Sequence, residues 1–317
     1  MSNELAGMFT QYWIYLAVRA ACRLNLFDAI SHNPITESNL CKHLGTNSKA
    51  THHLIRALAH HGFLLLEDDL VALTELSKPL CENHPEHVKY ACLLWGGEHM
   101  DVWQNLDVTV RTGEPVFEAL FSEPFFDYLG GNPAVAREYH KAMFEYARDD
   151  YRGIELVIDL RVSTSILDVG GANGALVRQL QKANPQKAFS ILDREVNPDD
   201  MQAGIDYLVG DFFDEIPAIS DCILLSRVIH DWDDNRALTI LRNCYCALPK
   251  GAVLYLIEND TARLGDGGHL LSLNMLAICR SYERSKNQYQ ELLTKSGFMI
   301  NEITGHGKHI IIKANRP

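Results

Sequence analysis

The stretch Ser226-Arg227-Val228-Ile229-His230-Asp231-Trp232-Asp233-Asp234 sets one imidazole among carboxylates and a guanidinium. Histidine, with an ordinary pKa of ~6.5, can take up and release a proton near neutrality, and nearby carboxylates raise its basicity. The stretch follows an apolar run, Cys222–Leu225, that reads as a strand. In open α/β sheets, ligands bind at the carboxyl ends of strands. Structural readings stand beside the chemical one. His230 could be a buried or capping histidine, Trp232 could be packing, and Asp233 and Asp234 suit the dipole at a helix start.

A second constellation is Asp168-Val169-Gly170-Gly171-Ala172-Asn173-Gly174, which ends one apolar run and opens a helical one. A strand-to-helix turn needs glycine whether or not it holds a ligand. Three carboxylates sharpen the reading. Asp193 ends the second strand, where it could accept both hydroxyls of a ribose. Gly210-Asp211-Phe212-Phe213 follows the third, offering an acid for an adenine amine and a ring for its face. Asp168 begins the glycine loop itself. A helix N-terminus attracts pyrophosphate, and an added carboxylate there is unfavourable to it. S-adenosylmethionine, which carries an ammonium and a sulfonium but no phosphate, fits this loop better than NAD.

The elements that must position these residues alternate between strand and helix from Ser165 onward. Strands are expected at Ser165–Val169, Ala188–Asp193, Ile205–Val209, Cys222–Leu225 and Ala252–Glu258, with helices such as Ala175–Ala183 and Asp234–Leu248 between them. That rhythm predicts a mostly parallel, doubly wound α/β sheet. Phe298–Thr304 and His309–Lys313 are joined by only Gly305-His306-Gly307-Lys308, so these last strands should be antiparallel.

The first ninety-odd residues have a different rhythm. Tyr12–Leu24 carries a 3.6-period apolar stripe, broken after Ile30 by Asn33-Pro34. Thr36 and Asn39 open a helix over Glu37–Leu44, closed by Gly45, and Asn47 or Ser48 caps another over Lys49–His61. Phe63–Leu66 and Leu70–Leu73, around Glu67-Asp68-Asp69, read as a hairpin. Three helices and a hairpin outline a winged helix-turn-helix. Residues 96–158 form an aromatic-rich helical link whose rings suit a core, a dimer interface or a flat pocket. The expected division is therefore 1–95, 96–158 and 159–317.

With 317 residues, 47% hydrophobic and 22% charged, the chain can build a large domain plus a smaller one. Its net charge of −12 disfavours general nucleic-acid binding. Eight cysteines without a C-x-x-C pair read as reduced thiols of a cytoplasmic protein, and no zinc half-site is expected. The N-terminal ten residues have no signal-peptide pattern, and no apolar run approaches the ~20 residues of a membrane span.

The order of these motifs is similar to that of the small-molecule O-methyltransferases. These are S-adenosylmethionine-dependent enzymes with an N-terminal winged-helix dimerisation domain, typified by plant caffeate-type and bacterial antibiotic-tailoring members. The resemblance rests on the glycine loop, Asp193, Gly210-Asp211-Phe212-Phe213, the His230 stretch, Leu256-Ile257-Glu258-Asn259, and the run from Asn274-Met275-Leu276 through Tyr282-Glu283-Arg284-Ser285 to Ser296-Gly297-Phe298. It covers nearly the whole chain.

It implies a Rossmann-like methyltransferase sheet, a homodimer formed through the N-terminal domain, and release of S-adenosylhomocysteine. Gly170, Gly171 and Gly174 would line the methionine portion with Asp168, while Asp193 takes the ribose, and Asp211 with Phe212 the adenine. Ser226 and Arg227 match residues contacting the methionyl carboxylate. His230 matches the general base, and Glu258 and Glu283 the acids that flank and orient it. Asp231, Asn274, Met275 and Arg280 are acceptor-contact candidates. Departures occur at Ala172 (commonly glycine), at Ser272 (often acidic) and at Arg280-Ser281 (commonly two glycines). Arg280 could pair with an anionic acceptor or simply be solvated.

Other functions weigh against this one. A DNA-binding regulator would use Lys49–His61, whose fixed cations are only Lys49 and Arg56; His52, His53, His60 and His61 are mostly neutral at pH 7. The same fold could methylate N, S or C, or use S-adenosylmethionine in other chemistry. His269 beside Gly267-Gly268, in an expected loop, gives no recurrent metal-ligand spacing with His230, so no metal is expected.

Overall fold

The computed structural model describes residue 5 and residues 7–196, 201–265 and 267–317. Part of the N-terminal stretch read for a signal peptide (residues 1–4 and 6) lies outside them. The chain divides into two compact units. One runs to Asp101 and includes Pro133–Tyr146; the other comprises Val102–Asn132 and Ala147–Pro317. Among the described residues no helix is long and apolar enough to cross a membrane.

In the first unit, helices Tyr12–Arg23, Glu37–Leu44 and Ser48–His60 surround Val18, Phe27, Leu40, Ile55 and Leu58. The capping residues act as expected, because Thr36 accepts from the Asn39 amide and Asn47 from the Ala50 amide. The hairpin is β2 (Leu64–Glu67) and β3 (Leu70–Leu73). Sequence pattern did not resolve a third strand, β1 (Ile35–Thr36), which pairs antiparallel with β3 through Ile35 and Val71. A two-residue strand just after Asn33-Pro34 has no periodicity to detect.

The second unit is built on seven strands: β4 (Ser165–Val169), β5 (Ala188–Asp193), β6 (Ile205–Val209), β7 (Cys222–Ser226), β8 (Val253–Asn259), β9 (Met299–His306) and β10 (His309–Asn315), in the order β6-β5-β4-β7-β8-β10-β9. The strands from β6 to β8 pair in parallel, and β10 lies antiparallel to β8 and β9. Both faces are covered, so β7 and β8 are buried along their whole length. Alternate residues feed opposite cores: Ile223 and Leu225 pack with Ile240 and Leu241, whereas Leu224 packs with Leu176 and Leu180. The order reverses between β4 and β7, which opens a crevice beyond their carboxyl ends. The glycine loop and the histidine stretch leave the sheet there.

Helix Gly267–Cys279 corrects one expectation. His269 lies within this helix, not in a loop. The two glycines that suggested a break sit in its first turn.

Candidate active site

The two loops at the crevice touch. Gly170 has φ +73°, which favours glycine, and a Cβ there would lie 2.7 Å from Val228 Cγ2. A Cβ on Gly171 would meet Asp168 Oδ2 at 2.5 Å. Gly174 is the N-cap of helix Ala175–Ala183. The loop is thus bare backbone wrapped on the Asp168 carboxylate. Asp168 is buried, and its Oδ1 has no hydrogen-bond partner among the described residues. Burial, with Asp193 nearby, pushes its pKa up to about 7. A buried acid held this way is stabilised as a carboxylate by a cation.

Asp193 ends β5 and accepts from the Ala172 amide at 2.9 Å and the Arg194 amide at 2.7 Å. Asp211 accepts from the Phe213 amide at 2.9 Å. Asn243 Nδ2 donates to the carbonyls of Phe212, Phe213 and Asp214, fixing the turn after β6. Phe212 and Phe213 meet Trp232 edge-on, and Phe126 tilts against the same indole. Trp232 is therefore packing that joins the third-strand loop to the histidine stretch.

His230 lies in a short 3₁₀ turn, Ile229–Asp231, and is buried. Its Nδ1 is 3.3 Å from Glu283 Oε1, and its Nε2 is 3.4 Å from Asp231 Oδ1. Glu283 Oε1 also accepts from Arg227 at 2.9 Å and from Asn259 Nδ2 at 2.8 Å. Burial alone would raise the Glu283 pKa, but Arg227 and His230 outweigh it and hold the carboxyl far below its usual range. Burial and Arg227 push His230 down, whereas Asp231, Glu283 and Glu258 push it up; the net shift is upward. Burial raises Asp231 against the pull of His230 and Arg227.

Glu258, close to His230 as well, meets the main chain of the turn. Its Oε1 accepts the backbone amides of Val228, Ile229 and His230 at 3.1, 2.8 and 3.4 Å. Burial pushes this carboxyl up to about 7 despite His230 and Arg227. Atoms of His230, Glu258 and Glu283 able to ligate a metal lie within 4.8 Å of one another. Both Oε1 atoms are already engaged by hydrogen-bond donors.

The remaining candidate residues have neighbours within the chain. Ser226 Oγ shares a 2.7 Å hydrogen bond with the buried Tyr151 hydroxyl, and Arg227, at φ +58°, points its guanidinium at Glu283. Asn274 is buried and accepts from Trp103 Nε1 at 2.8 Å, and Met275 is buried beside it in the same helix. Arg280 is half-exposed and forms ion pairs with Glu114 and Glu118.

The model of the O-methyltransferase domain matches residues 103–299, more than half of the chain, and that of the O-methyltransferase dimerisation domain matches residues 7–83. The chain belongs to the O-methyltransferase family. Among its relatives, the phenazine O-methyltransferase of Lysobacter antibioticus is 27% identical over 100% of this chain and 96% of its own. The O-demethylpuromycin-O-methyltransferase of Streptomyces alboniger is 28% identical over 93% and 84%. The crystal structure of LaPhzM superposes with a TM-score of 0.93 at 25% identity, covering 100% and 99% of the chains. An O-methyltransferase from neocarzinostatin biosynthesis, solved with S-adenosylmethionine and 2-hydroxy-5-methyl naphthoic acid, gives 0.82 at 25% identity over 96% of each.

Three residues of this O-methyltransferase that sequence reasoning passed over shape the histidine turn. Arg284, wholly buried, donates to the carbonyls of Ile229 (2.9 Å) and Trp232 (2.7 Å) and to Asp234 Oδ1 (2.8 Å). Ser281 Oγ donates to the carbonyls of His230 and Trp232. Asn259 fixes Glu283. Arg284 follows Glu283 directly, and Asn259 follows Glu258, but Arg284 and Ser281 reach main-chain carbonyls, and Asn259 a carboxylate, far away in sequence, which no motif reveals.

Proposed function

We propose that this O-methyltransferase transfers a methyl group from S-adenosylmethionine to a hydroxyl of a small molecule, with His230 as general base. The observation that carries the reading is the His230 Nδ1–Glu283 Oε1 pair at 3.3 Å, set beside a loop whose buried acid has an oxygen without a hydrogen-bond partner among the described residues. The residues present fit S-adenosylmethionine. Asp168 offers an unmet carboxylate to an ammonium, and the backbone at Gly170 and Gly171 admits close approach. Gly174 completes that loop, Asp193 suits the ribose, Asp211 with Phe212 suits the adenine, and Ser226 with Arg227 stands near the methionyl end. When bound, S-adenosylmethionine supplies a methyl group activated by its sulfonium.

The chain's own part is proton and position. Glu283, held ionised by Arg227 and Asn259, accepts the Nδ1 proton of the imidazole and so leaves the lone pair on Nε2. A phenol of pKa ~10 facing a histidine of ~6.5 gives a transfer uphill by ~3.5 units, or about 5 kcal/mol. The carboxylates around His230 narrow that gap by raising its basicity. Glu258, Arg284 and Ser281 hold the turn, so the imidazole is placed before the acceptor arrives, and such orientation is itself a large part of the acceleration. Asp231, Asn274 and Met275 border the acceptor side. A homodimer through the N-terminal unit accords with the dimerisation-domain match.

Calorimetry with S-adenosylmethionine, S-adenosylhomocysteine and NAD tests the cofactor. Binding of the first two and silence with NAD are expected; the reverse would overturn the proposal. Methyl transfer to small phenols and carboxylic acids then tests the acceptor atom.

A further inference from the structure

Away from the crevice, Cys22 Sγ and Cys92 Sγ lie 4.0 Å apart in the first unit. Cys22 sits near the end of helix Tyr12–Arg23, and Cys92 lies in helix Lys89–Leu94. Two neighbouring bonds fix the spacing of these helices at the sulfurs. Tyr15 donates its hydroxyl to the Cys92 carbonyl at 2.7 Å, and Arg19 Nε donates to the Leu93 carbonyl at 3.0 Å. Cys22 is buried in the core, whereas Cys92 is partly open to solvent. The two thiols are also unequal in chemistry. A hydrogen bond from Cys22 and the charge of Arg19 draw the Cys92 thiol below its ordinary range against burial, while the Cys22 thiol is pushed up. A thiolate is the attacking species in disulfide exchange, so a partly open thiol drawn toward its ionised form, despite burial and Glu145, beside a second thiol is what such a reaction needs.

We propose that Cys22 and Cys92 are a redox modification site, a dithiol that closes to an intramolecular disulfide when a small disulfide such as oxidised glutathione is supplied. Cys92 thiolate attacks one glutathione sulfur, forming a mixed disulfide and releasing glutathione thiolate. Cys22, having lost its proton, then attacks the Cys92 sulfur and releases the second glutathione thiolate. Two protein thiols are oxidised to one disulfide, one glutathione disulfide is reduced to two thiols, and the two protons pass to them. Closure brings the sulfurs from 4.0 Å to about 2.05 Å. The bond joins residues 70 apart in sequence, restricts the unfolded chain and so stabilises the first unit.

The test treats the full-length folded protein with oxidised glutathione, blocks remaining thiols and maps the non-reduced digest by mass spectrometry. The exposed Cys246 serves as an internal control for oxidant access. A Cys22–Cys92 cross-linked peptide about 2 Da lighter than its reduced parts is expected, since closure removes two hydrogens. With it should come a rise in melting temperature that dithiothreitol reverses and Cys92→Ser abolishes. Glutathione on Cys246 with Cys22 and Cys92 both blocked as free thiols would overturn the proposal. So would glutathione retained on Cys92 without transfer to Cys22.

Discussion

Glu258 Oε1 lies 2.8 Å from the backbone amide of Ile229, the residue before the histidine. The acid at the end of β8 therefore holds the histidine turn by its main chain, while Glu283 holds the imidazole by its ring. Two carboxylates that look alike in sequence divide into one that meets the main chain of the turn and one that meets the His230 ring.

Glu283→Gln separates those roles. The neutral amide can still accept from Asn259, but it no longer supports the imidazolium. On the proposed mechanism the neutral form of His230 acts as base, and its folded pKa is raised, so activity should climb as pH rises through that pKa. Removing the Glu283 charge should move this acid limb to lower pH by about one unit or more and lower the plateau rate. Arg227, partly buried, would keep an acceptor but lose its charged partner, which should also cost about 1–3 kcal/mol of stability. Rates normalised to folded protein over a pH series check both; an unmoved limb would remove Glu283 from the base's environment.

Arg284→Met should loosen the turn from the other side. It leaves the Ile229 and Trp232 carbonyls without their donor, a loss of about 2–4 kcal/mol by the usual cost of unmade charged hydrogen bonds. Denaturant unfolding gives the stability loss. A fall in kcat exceeding the change in cofactor affinity would be the mark of a displaced His230.

Asp168 gives a prediction for the ligand-free protein. Its folded pKa of about 7 stands above the ordinary 3.8, so between those values the folded state keeps a proton that the unfolded state has released. Stability from this group is therefore present below 3.8 and lost as pH rises toward 7 and beyond. Asp168→Asn should flatten that decline and raise the melting temperature at pH 8, while weakening S-adenosylmethionine binding. A thermal melt series without ligand, paired with calorimetry, reads both effects.

Arg280 is half-exposed and already matched by Glu114 and Glu118. Arg280→Ala should therefore change stability by less than about 1 kcal/mol, as surface pairs do. Cofactor affinity and acceptor KM should both hold. A several-fold rise in KM alone would assign the guanidinium to an anionic acceptor.

The parallel strands were legible to the residue at Ser165–Val169, Ala188–Asp193 and Ile205–Val209, because apolar runs bounded by polar turns leave few alternatives. The caps at Thr36 and Asn47 were legible for the same local reason. Ile35–Thr36 was not, since its strand character comes wholly from Leu70 and Val71 across the sheet. His269 was misplaced because local glycines were weighed without the packing of helix Gly267–Cys279. In the site, His230, Glu258 and Glu283 could be singled out as residue types. That Glu258 reaches amides while Glu283 reaches a ring depends on the β7–β8 register, Ser226 beside Ile257, which no local motif encodes.

On the proposed mechanism His230 removes the acceptor's proton. His230→Gln keeps a polar side chain in the turn but no base, so single-turnover methyl transfer at saturating cofactor and acceptor measures the claim directly. A loss of about 10²–10⁴-fold in rate, with S-adenosylhomocysteine affinity by calorimetry unchanged, is the expected result. A variant that transfers methyl at nearly the parent rate would contradict it.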